Sequence, residues 1–144
     1  KLHGIAALRL GWGYASEKII NYLMTVRGPF SVNSIAIQAG ITAMQDLEFQ
    51  DHCYKFNLES MKWMENELKN INVNFQKSST NFILMKLVNT DANTTNDTEN
   101  FFSSKGILIR NMKVYNLPEY IRVSLGTKIE NNIFIQTLKE FISK

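Results

Sequence analysis

The spacing of apolar residues along the chain predicts several helices. Apolar side chains recur every three or four positions over residues 49–71 and again over residues 128–142. This spacing is typical of amphipathic helices with one solvent-exposed face. A shorter helix is predicted over residues 97–105, and it ends at Gly106 because glycine suits the left-handed backbone of a helix C-terminus.

Two more helices are predicted nearer the start of the chain. Ser16 is suited to be the N-cap of the first, and Gly28-Pro29 ends it. The second covers residues 32–45 and is rich in Ala, Ile and Met. It is therefore predicted to be largely buried.

Short apolar runs between these helices predict strands. One lies near Leu8 to Ala15, where two glycines allow another backbone or a ligand to come close. Further strands are predicted over residues 73–76, 81–87, 107–110 and 120–124, with a polar loop over residues 89–95. The fold class is therefore α/β, with three or four short strands covered by helices and compatible with antiparallel pairing.

Composition narrows the range of partners. The 144 residues are 44% hydrophobic, which is enough for one core, and 16 basic residues against 13 acidic ones are scattered along the chain. Without a basic run or an aromatic-interleaved stripe, nucleic-acid binding is disfavoured, and a small anionic ligand is favoured. No apolar run approaches the roughly 20 residues of a membrane span, so no membrane partner is expected.

A single cysteine, Cys53, excludes an internal disulfide and a CxxC metal site. A reduced, cytoplasmic setting is the expectation, with no metal. No Cys-His signature surrounds Cys53, which favours an inert, partly buried thiol over a reactive one.

The first residues carry the strongest chemical signal. Lys1 and Arg9 stand eight positions apart around a turn of small residues. A lysine amine condenses with a carbonyl as a Schiff base once its pKa is depressed, and an arginine holds a phosphate through a two-pronged hydrogen-bond fork. Together they suit pyridoxal phosphate.

Four segments resemble fold-type-I pyridoxal-phosphate aminotransferases, and among these the histidinol-phosphate aminotransferase family. The first is KLHGIAALRLGWGY over residues 1–14. The others are RGPFSVNS over residues 27–34, STNFIL over residues 79–84, and GILIR over residues 106–110 followed by LPEYIRVSLGT over residues 117–127. Their order and spacing span most of the chain.

The resemblance implies a fold and a division of the chain. Residues 1–47 are expected to end the large, cofactor-binding domain, residues 48–71 to form an interdomain helix, and residues 72–144 to form a small C-terminal domain. The small domain is expected to hold a short, partly antiparallel sheet covered by helices. Because the family's remaining cofactor contacts precede the lysine, the sequence is expected to be the C-terminal part of a longer enzyme, inactive alone.

The resemblance also implies roles for four residues. Lys1 would bind the cofactor covalently and then move the proton during the reaction, and Arg9 would bind the cofactor phosphate. Arg110 and Arg122 would bind the anionic end of the substrate, as a phosphate or as a carboxylate. His3 is expected to pack or touch the cofactor without chemistry.

Other polar residues are predicted to be structural. Asn33 and Asn81, at element starts, are interpreted as caps rather than ligand contacts. Three features depart from the family pattern: Ala7 stands where glycine is common, Asn116 stands where glycine is frequent, and the serine expected before Lys1 is absent.

The expected function is transfer of an amino group between glutamate or 2-oxoglutarate and histidinol phosphate or imidazole-acetol phosphate, in histidine biosynthesis. A homodimer is implied by the family. A decarboxylase of a phosphorylated amino acid and an aromatic aminotransferase, both of the same superfamily, remain alternatives. A truncated, non-catalytic α/β module is a third.

Overall fold

A computed structural model describes residues 1–87 and 94–143 of the chain. The polar loop predicted over residues 89–95 lies outside the described residues as far as residue 93, and Thr94 and Thr95 begin a helix instead. The chain divides into two compact units, Lys1–Tyr54 and Lys55–Lys144. The predicted limits at residues 47 and 71 stay a prediction.

The first unit contains a turn and mostly helical segments. A single 3₁₀ turn, Ala6–Leu8, precedes α1 (Glu17–Val26) and α2 (Ser34–Gln45), and α3 (Leu47–Asn70) begins here. The predicted N-cap positions are confirmed. Ser16 precedes α1 without a side-chain cap bond, and the Asn33 side chain accepts a hydrogen bond from the Ala36 amide at 2.8 Å.

The strand predicted over Leu8 to Ala15 is wrong. Leu8 ends the 3₁₀ turn, where its amide donates to the Ile5 carbonyl at 3.0 Å, and Arg9 then adopts a left-handed φ of 55°. No strand among the described residues pairs with residues 10–16. Without a ladder among the described strands, this segment is not a strand, and the Ser16 carbonyl accepts instead from the Ile20 amide of α1 at 3.0 Å.

The prediction that α2 is largely buried is also wrong for the first unit. Only Ala36 and Gly40 of this helix are buried, whereas Ile35 is 72% exposed and Met44 is 61% exposed. The helix is apolar on several faces, and the first unit packs against only one of them.

The second unit contains a four-stranded antiparallel sheet. Its strands are β1 (Asn74–Gln76), β2 (Phe82–Lys86), β3 (Arg110–Asn111) and β4 (Tyr120–Ser124), in the order β1-β2-β4-β3. The prediction of β4 is confirmed at both ends. β3 begins only at Arg110, three residues later than predicted, so it is a two-residue edge strand.

Three helices supply the apolar side chains that pack on this sheet. They are the second half of α3, then α4 (Thr94–Ser104), and α5 (Lys128–Ile142), which matches its prediction at both ends. β2 and β4 alternate buried and half-buried residues, as expected for strands with one face on a core. The core includes Met64, Leu68, Ile83, Met85, Phe102, Ile121, Phe134 and Leu138.

Local interactions fix the ends of these elements. Thr127 and Glu130 form a reciprocal capping box at the start of α5. The buried side chain of Asn131 accepts from the Gly126 amide at 2.9 Å and donates to the Gly126 carbonyl at 3.0 Å. These bonds hold the turn between β4 and α5. Among the described residues, no helix is both long and apolar enough to span a membrane.

Candidate functional site

The first nine residues fold back on themselves. The Gly4 amide donates to the Lys1 carbonyl at 3.1 Å, and Gly4 has a φ of 67°, a conformation that glycine adopts without strain. The 3₁₀ turn at Ala6–Leu8 follows directly. As a result, Lys1 and Arg9 line the same cleft of the first unit.

This cleft, called here the N-terminal cleft, is cationic. Lys1, Arg9 and Arg27 line it, together with His3, Trp12 and mainly small or apolar residues, and none of its lining residues is Asp or Glu. Its volume is about 1170 Å³. Cofactor and drug-sized ligands occupy clefts of about 300–1,000 Å³, so the cleft is large enough for a small anionic molecule.

Arg9 is held by its own turn. One guanidinium N–H, on Nη1, donates to the Ala6 carbonyl at 3.0 Å, and the same carbonyl accepts from the Arg9 backbone amide. Arg9 forms no ion pair with a carboxylate among the described residues. Because a guanidinium carries five N–H donors, it retains donors for an anionic ligand.

A close contact between α2 and the Arg9 segment forms one wall of the N-terminal cleft. A Cβ placed on Gly40 would lie 2.3 Å from Leu10 Cδ2, so a larger residue at this position of α2 would require the Leu10 side chain to shift. Leu10 directly follows Arg9. The contact between Leu10 and Gly40 therefore lies next to Arg9 along the chain.

Arg27 was not among the predicted site residues, although it lines this cleft. Its side chain is exposed, and Nη1 lies 3.8 Å from the Met24 Sδ. The sequence feature that could have identified Arg27 as a site residue is its position at the start of the RGPFSVNS segment. A third cation without an acidic neighbour in the cleft increases the attraction for anions.

His3 carries an unsatisfied polar atom. Its Nδ1 is buried and has no hydrogen-bond partner within the described part of the chain, and the side chain lines the N-terminal cleft. Buried polar atoms normally have a partner, so this nitrogen needs one from outside the described residues.

The other two predicted site residues meet in the second unit. Arg110 of β3 and Arg122 of β4 are directly opposite each other in the antiparallel register. Opposite residues of such a pair have Cβ atoms about 4.5–5.5 Å apart and point to the same face. This face is the one away from the core, because Ile121 and Val123 on either side of Arg122 are buried.

Arg122 also rests on an aromatic ring. Its guanidinium carbon lies 4.9 Å from the centroid of the Phe82 ring on the neighbouring strand β2. A planar guanidinium stacks favourably on a ring face and keeps its N–H edges for hydrogen bonds. Neither Arg110 nor Arg122 has a carboxylate partner among the described residues.

Lys86 lies on the same face of the sheet as Arg122, and its charge is neutralised by an ion pair. Lys86 Nζ lies 2.7 Å from a Glu119 carboxylate oxygen. The hydrogen bond to Glu119, followed by its charge, raises the pKa of Lys86 above the ordinary value. Arg110 and Arg122, by contrast, have no such carboxylate partner among the described residues.

No cluster of three or more metal-ligating side chains occurs in the part of the chain that the structure describes. Cys53 is half-buried and forms no disulfide. The first unit therefore offers a lysine amine in a cleft that is also lined by two arginines. The second unit offers two arginines at opposite positions of a strand pair.

Comparisons with known proteins agree with these features. Residues 1–138 match the family model for aminotransferase class I and II. The chain is 36% identical over 142 residues to a histidinol-phosphate aminotransferase of Maricaulis maris, covering 99% of this chain and 39% of the relative.

Solved structures share the fold. A histidinol-phosphate aminotransferase from Sinorhizobium meliloti, in complex with pyridoxal-5'-phosphate, aligns with a TM-score of 0.83 at 23% identity, covering 99% of this chain and 39% of that one. An L-threonine-O-3-phosphate decarboxylase from Porphyromonas gingivalis aligns with a TM-score of 0.78 at 22% identity, covering 99% and 44%.

The chain thus spans about two fifths of the length of the curated relatives that it matches. The family model covers nearly all of its residues, and the predicted resemblance is confirmed. The chain belongs to the aminotransferase class I and II family.

Proposed function

We propose that this chain is part of a pyridoxal-phosphate-dependent enzyme that moves an amino group between glutamate or 2-oxoglutarate and histidinol phosphate or imidazole-acetol phosphate. The observation that carries the proposal is the acid-free cleft in which Lys1 and Arg9 lie together. The similarity over 99% of the chain to a histidinol-phosphate aminotransferase supports the choice of substrate.

The N-terminal cleft fits the cofactor. Pyridoxal phosphate carries an aldehyde and a phosphate, and the cleft provides an amine and two guanidiniums with no competing carboxylate. The unpartnered His3 Nδ1 adds a polar atom that a ligand or a further protein segment can satisfy. When bound, the cofactor supplies an electron sink for the carbon that loses or gains the amino group.

Two residues of the cleft have distinct proposed roles. Lys1 would hold the cofactor covalently through its Nζ, and the same amine would accept and return the proton at the reacting carbon. Arg9 binds the phosphate, because its donors are held by the turn and the charge has no carboxylate partner in the described residues.

Arg110 and Arg122 form the proposed substrate anchor. Like charges directly opposite each other destabilise a strand pair, and an anion bound between them removes that cost. One such site serves the phosphate of histidinol phosphate in one half-reaction and a carboxylate of glutamate in the other. The stacked Phe82 ring keeps Arg122 oriented toward the anion.

The remaining features follow from the family as further parts of the proposal. Residues 1–47 end the cofactor domain, residues 48–71 link the domains and residues 72–144 form the small domain. The enzyme acts as a cytoplasmic homodimer on small anionic substrates, without nucleic-acid or membrane partners.

The test uses the complete product of the reading frame that encodes this chain. Purified protein with pyridoxal phosphate is given histidinol phosphate and 2-oxoglutarate, and glutamate is measured. Formation of glutamate that requires both substrates and disappears in Lys1→Ala supports the proposal. Absence of glutamate from folded, cofactor-loaded protein contradicts it.

The fold similarity to the Porphyromonas gingivalis decarboxylase favours one alternative reaction. A decarboxylase of a phosphorylated amino acid also needs a lysine and guanidiniums for phosphate. Release of carbon dioxide from O-phosphothreonine, without glutamate formation, identifies this activity.

A further inference from the structure

A side-chain hydrogen bond joins the short strand β3 to helix α4. Asn111 Nδ2 donates to Glu99 Oε2, and this contact is partly buried. Asn111 pairs with the fully buried Ile121, so its side chain points to the helix-covered face. Arg110, the preceding residue, points to the opposite face because successive strand residues alternate.

The backbone pairing of β3 with β4 is short, although the Met112 amide directly after β3 donates to the Tyr120 carbonyl at 3.2 Å and Ile109 directly before it packs against the core. The pairing of β3 with β4 comprises two residue pairs, Arg110 with Arg122 and Asn111 with Ile121. The first pair brings like charges together, which weakens the pairing. Two residue pairs contribute little pairing energy to an edge strand. The hydrogen bond between Asn111 and Glu99 therefore has a large share in fixing the register of β3.

We propose that Asn111 and Glu99 are positioning residues that hold Arg110 beside Arg122, so that both guanidiniums bind the same phosphate or carboxylate group. The inference rests on the proposed function, because it requires the arginine pair to bind an anion. Two-point recognition by guanidiniums depends on their spacing, and a shift of about 1 Å is enough to loosen such a site.

The probe is inorganic phosphate, and the readout is the NMR signal of the Arg110 and Arg122 Nε–H groups in the complete product of the reading frame that encodes this chain. Asn111→Ala removes the hydrogen bond without a change of charge. Asn111→Asp places two carboxylates together. The double variant Asn111→Asp/Glu99→Gln restores one donor and one acceptor and keeps the wild-type net charge.

Glu99→Gln alone is the matched control for electrostatics. An amide at this position still accepts a hydrogen bond from Asn111, so this hydrogen bond persists while the negative charge is lost. We expect phosphate affinity within about twofold of wild type in this variant and in the double variant, and about tenfold weaker in Asn111→Ala and Asn111→Asp. Thermal unfolding verifies that every titration is made on folded chain.

The outcomes distinguish the role of the Asn111–Glu99 hydrogen bond from that of the arginine pair. Unchanged phosphate affinity in Asn111→Ala, or failure of the double variant to recover, overturns the positioning role and leaves the arginine pair standing. If phosphate changes the signal of neither arginine in the wild-type protein, both claims are overturned: anion binding by the arginine pair and its positioning by Asn111 and Glu99.

Turnover gives a second readout in the complete product of the reading frame. The positioning role predicts that Asn111→Ala raises KM for histidinol phosphate about tenfold while kcat stays within about twofold. A general structural defect instead lowers kcat and the melting temperature together.

Discussion

Arg110 and Arg122 face each other across an antiparallel strand pair, with the guanidinium of Arg122 on the ring of Phe82. Such a pair is destabilising in isolation and becomes favourable when an anion lies between the charges. Under the proposed function, the repulsion is a stability cost that anion binding offsets.

Arg110→Gln tests whether the charge pair lowers the stability of the ligand-free protein and raises its affinity for phosphate. Removing one charge relieves the repulsion, so the ligand-free variant is expected to be more stable by about 0.2–1 kcal/mol. Its affinity for phosphate falls because the second guanidinium is gone. Chemical denaturation with and without phosphate measures both effects. Lys62→Gln, an equal loss of charge at an exposed position of α3, is the control and changes neither. A stability loss in Arg110→Gln contradicts the account.

Gly40→Ala tests the wall of the N-terminal cleft. The new methyl group would lie 2.3 Å from Leu10 Cδ2, so the Leu10 side chain must shift, and we expect the adjacent Arg9 to shift with it. Overpacking of a well-packed core costs about 1–3 kcal/mol and replacement of a helical glycine gains about 1 kcal/mol, so the net change in stability is expected to be small at the half-buried Leu10. Cofactor affinity, followed by absorbance, is expected to fall in the complete product of the reading frame.

Two comparison variants make this prediction specific. Adding Leu10→Ala to Gly40→Ala removes the clash and restores much of the affinity. Gly13→Ala, where a Cβ would meet nothing within 4 Å, serves as the matched substitution. Equal cofactor affinity in Gly40→Ala and wild type would show that the contact does not position Arg9.

Phe102→Ala tests the core of the second unit. Phe102 is fully buried, and its ring stacks on Phe134 with centroids 5.4 Å apart. Truncation removes this packing and leaves a cavity, so unfolding free energy is expected to fall by about 3–5 kcal/mol. Phe30→Ala, the same change at a residue that is 97% exposed, is expected to cost far less in urea denaturation. Similar losses in both variants would refute the assigned core.

The capping box at the start of α5 predicts a pH effect. The Thr127 amide and hydroxyl both donate to Glu130 Oε2, at 2.7 and 2.8 Å, and these hydrogen bonds lower the pKa of Glu130 below its ordinary value of 4.5. A lowered pKa in the folded state means that the carboxylate stabilises the fold above pH 4.5. This contribution is lost as the pH falls through the folded-state pKa.

Melting temperatures of wild type and Glu130→Gln measure that contribution. The wild type is expected to be the more stable at pH 7, and the difference shrinks as the pH falls below 4.5. Glu59→Gln, at an exposed position of α3, is the matched control. A difference that stays constant down to the acid transition would exclude the capping carboxylate as its source.

Periodicity was sufficient for two elements of the second unit, α5 and β4. The limits of α5 and β4 follow from apolar spacing because both have one face on the same core. The segment over Leu8 to Ala15 has strand-like composition, but composition does not show whether a partner strand is available.

The pairing of Arg110 with Arg122 was beyond the sequence argument, because register is set by the turn between the strands. That turn contains the 3₁₀ segment Lys113–Tyr115 and Asn116 in a left-handed conformation with a φ of 58°. The position of Asn116 explains why glycine is frequent there in the family. Arg27 was missed because its contribution depends on how the chain folds around the cleft.

The central claim is that Lys1 binds the cofactor. The most direct measurement is borohydride reduction of the complete product of the reading frame with pyridoxal phosphate, followed by peptide mass spectrometry. The account predicts one cofactor mass fixed on Lys1 of the wild type and none in Lys1→Arg. A cofactor fixed on another lysine, or on none in folded protein, would contradict it.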